Sequence, residues 1–355
     1  MYGECPNTYN VQEVGLGKAM DKYGHEFIIV YWVGAKEQKC GKEIEVQQGV
    51  KKVYLPYKWR IGRHVMPRLE ILEKYHFDLL HLQCDNLMAV PKAVDYCLER
   101  NLPHYCYVGT LHSSSPKWFV RYIVDKMSIR NFATFRKTKV FGKTPAVVAE
   151  LQKHGVRSAE FAPVGLDTDV IPEEHRGKIE IKQDLDIPLD KKLVFCVCAM
   201  RPDKHPLDLL DLAEKLTDDY YIVHVGADGI AKHDYMKRLA KETDLQKVHY
   251  LGNIANEKVH AYYEVADYVV NFNPGEIFGM AILEAMYHDC TVVARRAPGP
   301  SCIIEDKKNG YLCDTVGQMA DMILSGQKAK EAKKRIEQHF LWASTARKFL
   351  ENYYE

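Results

Sequence analysis

Two glutamates on either side of a short turn are the residues of this chain that most directly suggest chemistry. Glu276 and Glu284 are separated by eight positions, and Phe278-Gly279 lies between them. The apolar run 268–272 predicts a buried strand before the pair, and the residues after Gly279 predict a helix. We expect Glu276 in the loop and Glu284 about two turns into the helix. Such a helix start can bind an anion, and a carboxylate farther along can accept hydrogen bonds from sugar or ribose hydroxyls.

A second predicted strand, 193–198, leads into a loop that carries two cations. Arg201 and Lys204 lie in this loop, and a helix is expected to begin near Pro206. A guanidinium and an ammonium can neutralise a diphosphate leaving group. An isolated pair with this spacing is also common in solvated basic loops. Its position after a strand favours a binding role, because ligands of open α/β sheets lie beyond the carboxyl ends of the strands.

Strand and helix signals alternate along the whole chain. Such alternation predicts parallel sheets with helices on both faces. A length of 355 residues suggests two domains, and the polar, proline-containing run 165–192 is predicted to connect them. The strands expected are 27–32, 79–82 and 103–110 in the first half, and 193–198, 221–225, 248–251, 268–272 and 291–294 in the second.

Charge and cysteine content exclude several classes of protein. The net charge of +1 does not indicate a nucleic-acid partner. Ten cysteines follow no repeating spacing, and the close pair Cys196 and Cys198 is expected on one face of a buried strand. Without a second close pair, neither a zinc site nor another metal site is indicated. Reduced thiols, no signal peptide and no run of about 18 apolar residues favour a cytoplasmic protein.

The motifs taken together resemble a known family. The two glutamates resemble the E-x7-E element of retaining GT-B glycosyltransferases, the family called glycosyltransferase group 1 (family four). Arg201 and Lys204 stand where that family binds phosphate. The resemblance runs from near Gly15 to the C-terminus, with further matches in the family's order. These are the histidine after a first-domain strand (His112), the run 163–167, the glycine after strand 221–225 (Gly226) and the glycine turn after strand 248–251 (Gly252).

The resemblance implies an α/β fold of the GT-B type. Two Rossmann-like domains would face each other across a cleft, and a C-terminal helix would cross back to the first domain. The first, acceptor-side domain would comprise 1–165 plus the crossing helix 339–355. The second, nucleotide-sugar-binding domain would comprise 166–338.

The resemblance also implies roles for individual residues. Arg201 and Lys204 would hold the donor diphosphate, and Glu276 would bind hydroxyls of the donor sugar. Glu284 would bind the ribose, and His112 would lie near the anomeric carbon or the sugar's outer hydroxyl. No metal or other cofactor is expected, since the two cations and the helix dipole can supply the positive charge. The remaining donor-binding positions would be Gly3, Gly226, Gly252, Phe278 and Gly279.

Two departures from the family pattern concern the loop and the N-terminus. Phe272-Asn273 stands where the family has Pro-Ser before the first glutamate, which affects the loop shape. The chain opens with 1–6, which resembles the glycine-rich loop that normally follows a first strand. The first domain is therefore expected to lack its first strand, and this affects the acceptor side.

The stretch 117–143 is basic and rich in aromatic residues. Asp125 is its single acid among eight lysines and arginines, and Trp118, Phe119 and Tyr122 are interleaved with them. Such a helix could rest on an anionic membrane and meet a lipid-linked acceptor. The other interpretation is a solvated helix face beside the acceptor cleft.

The sequence therefore predicts a retaining hexosyltransferase. It would move a sugar from a nucleotide-sugar donor, UDP-linked more readily than GDP-linked, to a glycan or lipid-linked acceptor in cell-surface polysaccharide biosynthesis. It would act in the cytoplasm, with peripheral contact at the inner membrane face and no nucleic acid. The alternatives are a nucleotide-sugar epimerase or phosphorylase on the same architecture, or a non-catalytic transferase-like subunit.

Overall fold

The computed structural model describes residues 11–61, 64–84, 88–109, 111–112, 118–242 and 245–354. It divides into two compact units. Unit 1 comprises Val11–Gly165 and the segment from Trp342 onward, and unit 2 comprises Leu166–Leu341. Among the described residues, no helix is both long enough and apolar enough to cross a membrane.

Unit 1 combines parallel and antiparallel strands with helices. The helices are α1 (Gln12–Asp21), α2 (Val90–Glu99), α3 (Trp118–Phe135) and α4 (Pro145–Lys153), and a 3₁₀ helix covers Leu69–Tyr75. The strands are β1 (Phe27–Val33), β2 (Glu43–Gln47), β3 (Val50–Ile61), β4 (His64–Pro67), β5 (Leu80–Gln83), β6 (His104–Val108), β7 (Lys139–Gly142) and β8 (Ala159–Phe161).

The described strands of unit 1 form two sheets. One has the order β1-β3-β2, with β4 also paired to β3, and the other has the order β5-β6-β7-β8. The prediction of purely parallel sheets is wrong here, because β2 and β4 both run antiparallel to β3. A tight turn at Gly49, with φ of +79°, connects β2 to β3, and such two-residue turns form hairpins. Apolar side chains of β1, β3, β5 and α2 share one core cluster.

Unit 2 contains one six-stranded sheet, and every pair of neighbouring strands in it is parallel. Its strands are β9 (Lys192–Val197), β10 (Tyr220–Val225), β11 (Val248–Gly252), β12 (Tyr268–Asn271), β13 (Thr291–Arg295) and β14 (Tyr311–Cys313). Its helices are α5 (Lys178–Asp184), α6 (Asp208–Lys215), α7 (Lys232–Lys241), α8 (Asn256–Val265), α9 (Met280–Tyr287), α10 (Pro298–Ile303), α11 (Val316–Leu324) and α12 (Ala332–His339). Two 3₁₀ helices cover Thr168–Val170 and Pro202–Lys204.

The strand order of unit 2 is β11-β10-β9-β12-β13-β14. The chain runs outward from β9 in one direction and then returns to place β12 on the other side of β9. In open parallel sheets, ligands bind at the point where the order reverses. Here that point lies at the carboxyl ends of β9 and β12.

The strands predicted for this half all overlap observed strands, but the connector prediction is wrong in one respect. Residues 166–192 belong to unit 2 and carry α5, whose buried Ile181 anchors it. Only Ile179 and Ile181 among its seven residues are apolar, and Ile179 is exposed, so the sequence pattern did not reveal this short helix.

The C-terminal helix, α13 (Trp342–Tyr354), belongs to unit 1. The ring of Phe349 lies 4.7 Å from that of Tyr105 and 4.9 Å from that of Phe141. Thr345 donates a hydrogen bond to the carbonyl of Pro163 (2.8 Å). The helix begins at Trp342 rather than at the predicted His339, which is the last residue of α12.

Candidate functional site

The loop after β9 presents the two predicted cations. Its backbone is held to the next strand's loop, since Met200 N donates to Ala227 O (2.9 Å). Arg201 precedes the 3₁₀ helix Pro202–Lys204, and its side chain is about half exposed. The guanidinium forms a two-point contact with Asp203, in which Nε donates to Oδ1 at 3.0 Å. This contact lowers the pKa of the Asp203 carboxyl.

The loop after β12 is organised by a buried asparagine. Asn273 Oδ1 accepts from Gly275 N (2.9 Å), which is a turn typical of asparagine. Its amide nitrogen donates to Glu276 Oε2 (3.1 Å). Sequence reasoning treated Phe272-Asn273 only as a departure from the family pattern. Its signal was the Asn-Pro-Gly run at 273–275.

An ion pair joins the two loops. Lys204 Nζ lies 2.9 Å from Glu276 Oε2, and their side chains are 28% and 14% exposed. The residues come from the adjacent strands β9 and β12 at the reversal of strand order. The structure therefore brings together one predicted cation and one predicted carboxylate, while the other cation contacts Asp203.

Gly279 starts helix α9 with a φ of +106°, a conformation that favours glycine. Glu284 is the fifth residue of this helix. It therefore lies little more than one turn from the helix start, and the prediction of two turns is wrong, because only four helical residues precede it. Burial and the Glu284 carboxylate raise the pKa of the Tyr263 phenol well above its usual value.

Phe278 is buried, and its ring faces that of Phe340 at 6.3 Å. The loop is backed by Gly299, whose backbone N–H donates to Glu276 O (2.9 Å). A Cβ on Gly299 would lie 2.2 Å from Phe278 O, so only glycine fits there. Sequence reasoning missed this residue, since the Pro-Gly-Pro run 298–300 is ordinary for a helix start.

Glycines also allow the loops after β9, β10 and β11 to approach closely. A Cβ on Gly226 would lie 1.8 Å from Cys198 O, and one on Gly229 would lie 2.3 Å from Met200 O. Gly226 N donates to the carbonyl of Gly252 (2.9 Å), and the φ angle of Gly252 is +68°. The predicted Gly226 and Gly252 thus form the backbone that supports the cation loop.

His112 belongs to unit 1, whereas the residues above belong to unit 2. It follows β6, and its side chain is 62% exposed. Its Nδ1 is 3.7 Å from Asp125 Oδ1 on α3, and its Nε2 is 3.8 Å from Glu150 Oε1 on α4. Gly3, the remaining predicted donor-binding residue, lies outside the described residues.

The basic stretch 117–143 is less continuous than predicted. Lys143 is buried, and its Nζ donates to Gln12 Oε1 (3.1 Å). Lys139 pairs with Glu160. Lys139 on β7 and Lys143 just after it thus make contacts within unit 1, and the exposed basic residues described in the stretch are Arg121, Lys126 and Arg130 on α3 and Arg136 and Lys137 after it. On α3 the large apolar side chains exposed are those of Trp118, Phe119, Tyr122, Ile123 and Ile129.

A further cluster lies on β9 and β10. Within the described part of the chain, one group of three side chains could hold a metal ion, Cys196, Cys198 and His224. Cys196, His224 and Lys204 lower the pKa of the Cys198 thiol. The sequence did not indicate this group, because the histidine comes from the neighbouring strand.

A family model supports the resemblance inferred from sequence. Residues 177–344 match the model of glycosyl transferases group 1. Among curated proteins, the chain is 24% identical to a putative teichuronic acid biosynthesis glycosyltransferase of Bacillus subtilis over 84% of this chain and 74% of that protein. It is 22% identical to trehalose synthase of Thermococcus litoralis, over 47% of this chain and 45% of that protein. The matched part therefore spans less than half of the latter relative.

Solved structures show the fold. Sucrose-phosphate synthase of Thermosynechococcus elongatus superposes with a TM-score of 0.73 at 18% identity, covering 95% of this chain and 90% of that one. HepE of Anabaena, in complex with UDP and glucose, superposes with a TM-score of 0.73 at 17% identity, covering 99% and 97%. The predicted GT-B fold and the resemblance to glycosyltransferase group 1 are confirmed.

Proposed function

We propose that this chain, which has the GT-B fold and matches glycosyl transferases group 1 over residues 177–344, is a retaining hexosyltransferase that uses a nucleotide-sugar donor. The observation that carries the proposal is the contact between Lys204 and Glu276 at the reversal of strand order in unit 2. A cation for phosphate and a carboxylate for hydroxyls lie side by side there, as a nucleotide sugar requires.

We propose UDP, in preference to GDP, as the nucleotide of the donor. Its support is that the structurally similar HepE is described in complexes with UDP and with UDP-glucose. Glu284 is assigned to the ribose, because it lies on α9 little more than one turn from the helix start and because a carboxylate accepts hydroxyl hydrogen bonds strongly.

In the proposed reaction, the bond between the anomeric carbon and the diphosphate oxygen breaks. The acceptor hydroxyl forms the new bond on the same face of the sugar, and its proton passes to the leaving phosphate. Arg201 and Lys204 stabilise the negative charge that develops on the diphosphate, and Glu276 orients the sugar hydroxyls. Backbone N–H groups at the start of α9, next to Phe278 and Gly279, can also stabilise negative charge on the diphosphate. His112 is retained as a candidate for the transfer step.

The acceptor is proposed to be a glycan or a lipid-linked precursor of a cell-surface polysaccharide. Similarity to the putative teichuronic acid glycosyltransferase supports this class. The exposed aromatic residues on α3, with Arg121, Lys126 and Arg130 beside them, support peripheral contact with the cytoplasmic membrane face.

The proposal is tested by incubating the full chain with a panel of UDP- and GDP-sugars and with glycan or lipid-linked acceptors. Nucleotide release and product mass are measured. We expect release of UDP together with an acceptor whose mass grows by one hexose. An isomerised donor with no release would instead indicate an epimerase, and phosphate-dependent release of a sugar phosphate would indicate a phosphorylase. Donor binding without turnover of any acceptor or of water would favour a non-catalytic subunit.

A further inference from the structure

Two cysteines and a histidine meet inside unit 2. Cys196 lies on β9 and Cys198 directly follows the end of that strand. On β10, His224 stands opposite Cys196 in the parallel register. The two sulfurs are 3.9 Å apart, and Cys198 Sγ lies 3.3 Å from His224 Nε2. The side chains of Cys196 and His224 are buried, whereas Cys198 is half-buried.

We propose that Cys196, Cys198 and His224 form a binding site for a zinc-class divalent cation. A tetrahedral ion with Zn–S bonds of about 2.3 Å and Zn–N bonds of about 2.0–2.1 Å holds its sulfurs about 3.8 Å apart, and a sulfur and a nitrogen about 3.6 Å apart. The observed separations of 3.9 and 3.3 Å differ from these by a few tenths of an ångström. All three ligand atoms lie within 4.8 Å of one another, so the proposed site requires Cys196 and His224 to rotate toward a common ion.

A second set of contacts supports the histidine as a ligand. His224 Nδ1 lies 3.1 Å from the hydroxyl of Tyr235 on α7. Histidine ligands commonly use their second nitrogen to contact a polar group, which fixes the ring orientation. With Nδ1–H donating to Tyr235, the lone pair of Nε2 faces the sulfurs. In the metal-free protein, Nε2 lies 3.0 Å from the Cys198 carbonyl and donates to it, so metal binding exchanges the tautomer.

The net charge of the proposed metal site also suits its buried position. Two thiolates neutralise a divalent cation, so the loaded site carries no net charge into the core. The three protein ligands leave a fourth position on the side of the half-buried Cys198, where water can bind.

A disulfide between the two cysteines fits the geometry less well. Residues two apart in an extended strand have their Cα atoms about 6.6 Å apart with parallel side chains. Disulfides prefer Cα separations of about 5.5–6 Å. The pair is therefore better placed to share a metal than to oxidise.

Cobalt(II) is the probe that tests the site, because its absorption reports both thiolate ligation and tetrahedral geometry. The reduced, metal-free full chain is titrated with Co²⁺, and Zn²⁺ is then added as a competitor. We expect one equivalent to give thiolate-to-cobalt charge-transfer and tetrahedral ligand-field bands, which Zn²⁺ abolishes. Native mass spectrometry of the zinc form is expected to show one ion per chain.

Variants assign the ligands. Cys196→Ser, Cys198→Ser and His224→Gln are each expected to weaken Co²⁺ binding at least tenfold, and Tyr235→Phe about tenfold. Cys313→Ser is the matched control, since Cys313 is a buried strand cysteine of the same sheet and core cluster. It should bind as the wild type does. Circular dichroism confirms that each variant folds.

Two results would overturn the proposal. One is a wild-type chain that binds no Co²⁺ at one equivalent or binds it without thiolate bands. The other is unchanged binding in folded Cys198→Ser and His224→Gln proteins, which would place the metal on other cysteines. The Co²⁺ titration of the wild-type chain needs no variant, so it tests the proposal even if the variants do not fold.

Discussion

Lys204 Nζ donates a 2.9 Å hydrogen bond to Glu276 Oε2, although 72 positions separate the two residues in the chain. The Glu276 carboxylate therefore neutralises the Lys204 ammonium, and a bound diphosphate must compete with it. This contact is in addition to the proposed role of Glu276 toward the donor sugar. Removing the carboxylate should consequently change nucleotide affinity and sugar transfer in opposite directions.

Glu276→Gln is expected to tighten binding of free UDP and to slow transfer. The glutamine can keep a contact with Asn273 but no longer neutralises Lys204, so the diphosphate meets a stronger positive charge. A partly buried ion pair of this kind corresponds to about 1 kcal/mol, or roughly fivefold in affinity. Calorimetry with UDP and a transfer assay measure the two effects.

Glu257→Gln, at an exposed position on α8, is the control for charge alone. This substitution should change neither the affinity for UDP nor the rate of sugar transfer. Weaker UDP binding in Glu276→Gln would show that the carboxylate contacts the nucleotide itself, contrary to the role assigned here.

Arg201→Ala and Lys204→Ala are each expected to lower turnover strongly without unfolding the protein. Loss of one charged donor facing a leaving group costs about 2.7–4 kcal/mol of transition-state stabilisation, by analogy with oxyanion donors. Asp203→Asn is the comparison variant, because it releases Arg201 from its carboxylate partner and should strengthen UDP binding. Near-normal turnover in both alanine variants would refute the phosphate assignment.

Glu284→Gln is expected to weaken UDP binding by about tenfold. A ribose hydroxyl donates more strongly to a carboxylate than to an amide, and hydrogen bonds to charged groups contribute about 1.5–3 kcal/mol. Calorimetry with UDP, and with uracil as a ligand that lacks the ribose, separates the effects. If both ligands lose affinity equally, Glu284 acts on something other than the ribose.

Transfer activity is expected to survive chelation. Arg201, Lys204 and the start of α9 supply positive charge for the diphosphate, and the cysteine–histidine cluster is proposed to hold an ion for a different purpose. The assay compares turnover with excess EDTA and after addition of Mg²⁺ or Mn²⁺. Loss of turnover with EDTA and its return with either metal would mean that an ion handles the leaving group.

Acidification is expected to destabilise unit 2 through His260. Burial, together with the neighbouring His288, lowers the pKa of His260 to about 4. His260 Nδ1 lies 2.9 Å from His288 Nε2, and His288 Nδ1 lies 2.6 Å from Glu264 Oε1. The unfolded chain, with a histidine pKa of about 6.5, binds more protons than the folded chain between pH 6.5 and 4. Stability therefore falls as pH drops through this window, by up to about 3 kcal/mol.

Urea unfolding at several pH values measures that slope in the wild type, in His260→Gln and in His233→Gln. His233 is exposed on α7 and should leave the slope unchanged. The His260 variant should have a shallower slope, whatever its absolute stability. An equal slope in all three proteins would assign the acid sensitivity to other groups, among them Glu264, whose pKa the contact with His288 lowers.

The sequence by itself determined the features that depend on near neighbours in the chain. Five of the six parallel strands of unit 2 could be located because a strand buried on both faces needs an unbroken apolar run, whereas the three-residue β14 was missed. Glu276, Arg201 and Lys204 could be placed in loops, and Glu284 in a helix, because turn residues and glycines mark strand ends locally. The hairpins of unit 1 were missed because charged residues and Pro56 interrupt the apolar residues of β2 and β3. Helix α5 was missed because only two of its seven residues are apolar.

The tertiary structure alone decided which of these loops touch. Strand order brings β12 beside β9, and this placement pairs Lys204 with Glu276 while Arg201 contacts Asp203. It also sets His224 opposite Cys196 across neighbouring strands, which turns an unremarkable cysteine pair into a three-ligand cluster. Such contacts depend on sheet topology and register, which the packing of the whole unit determines and which no local spacing records.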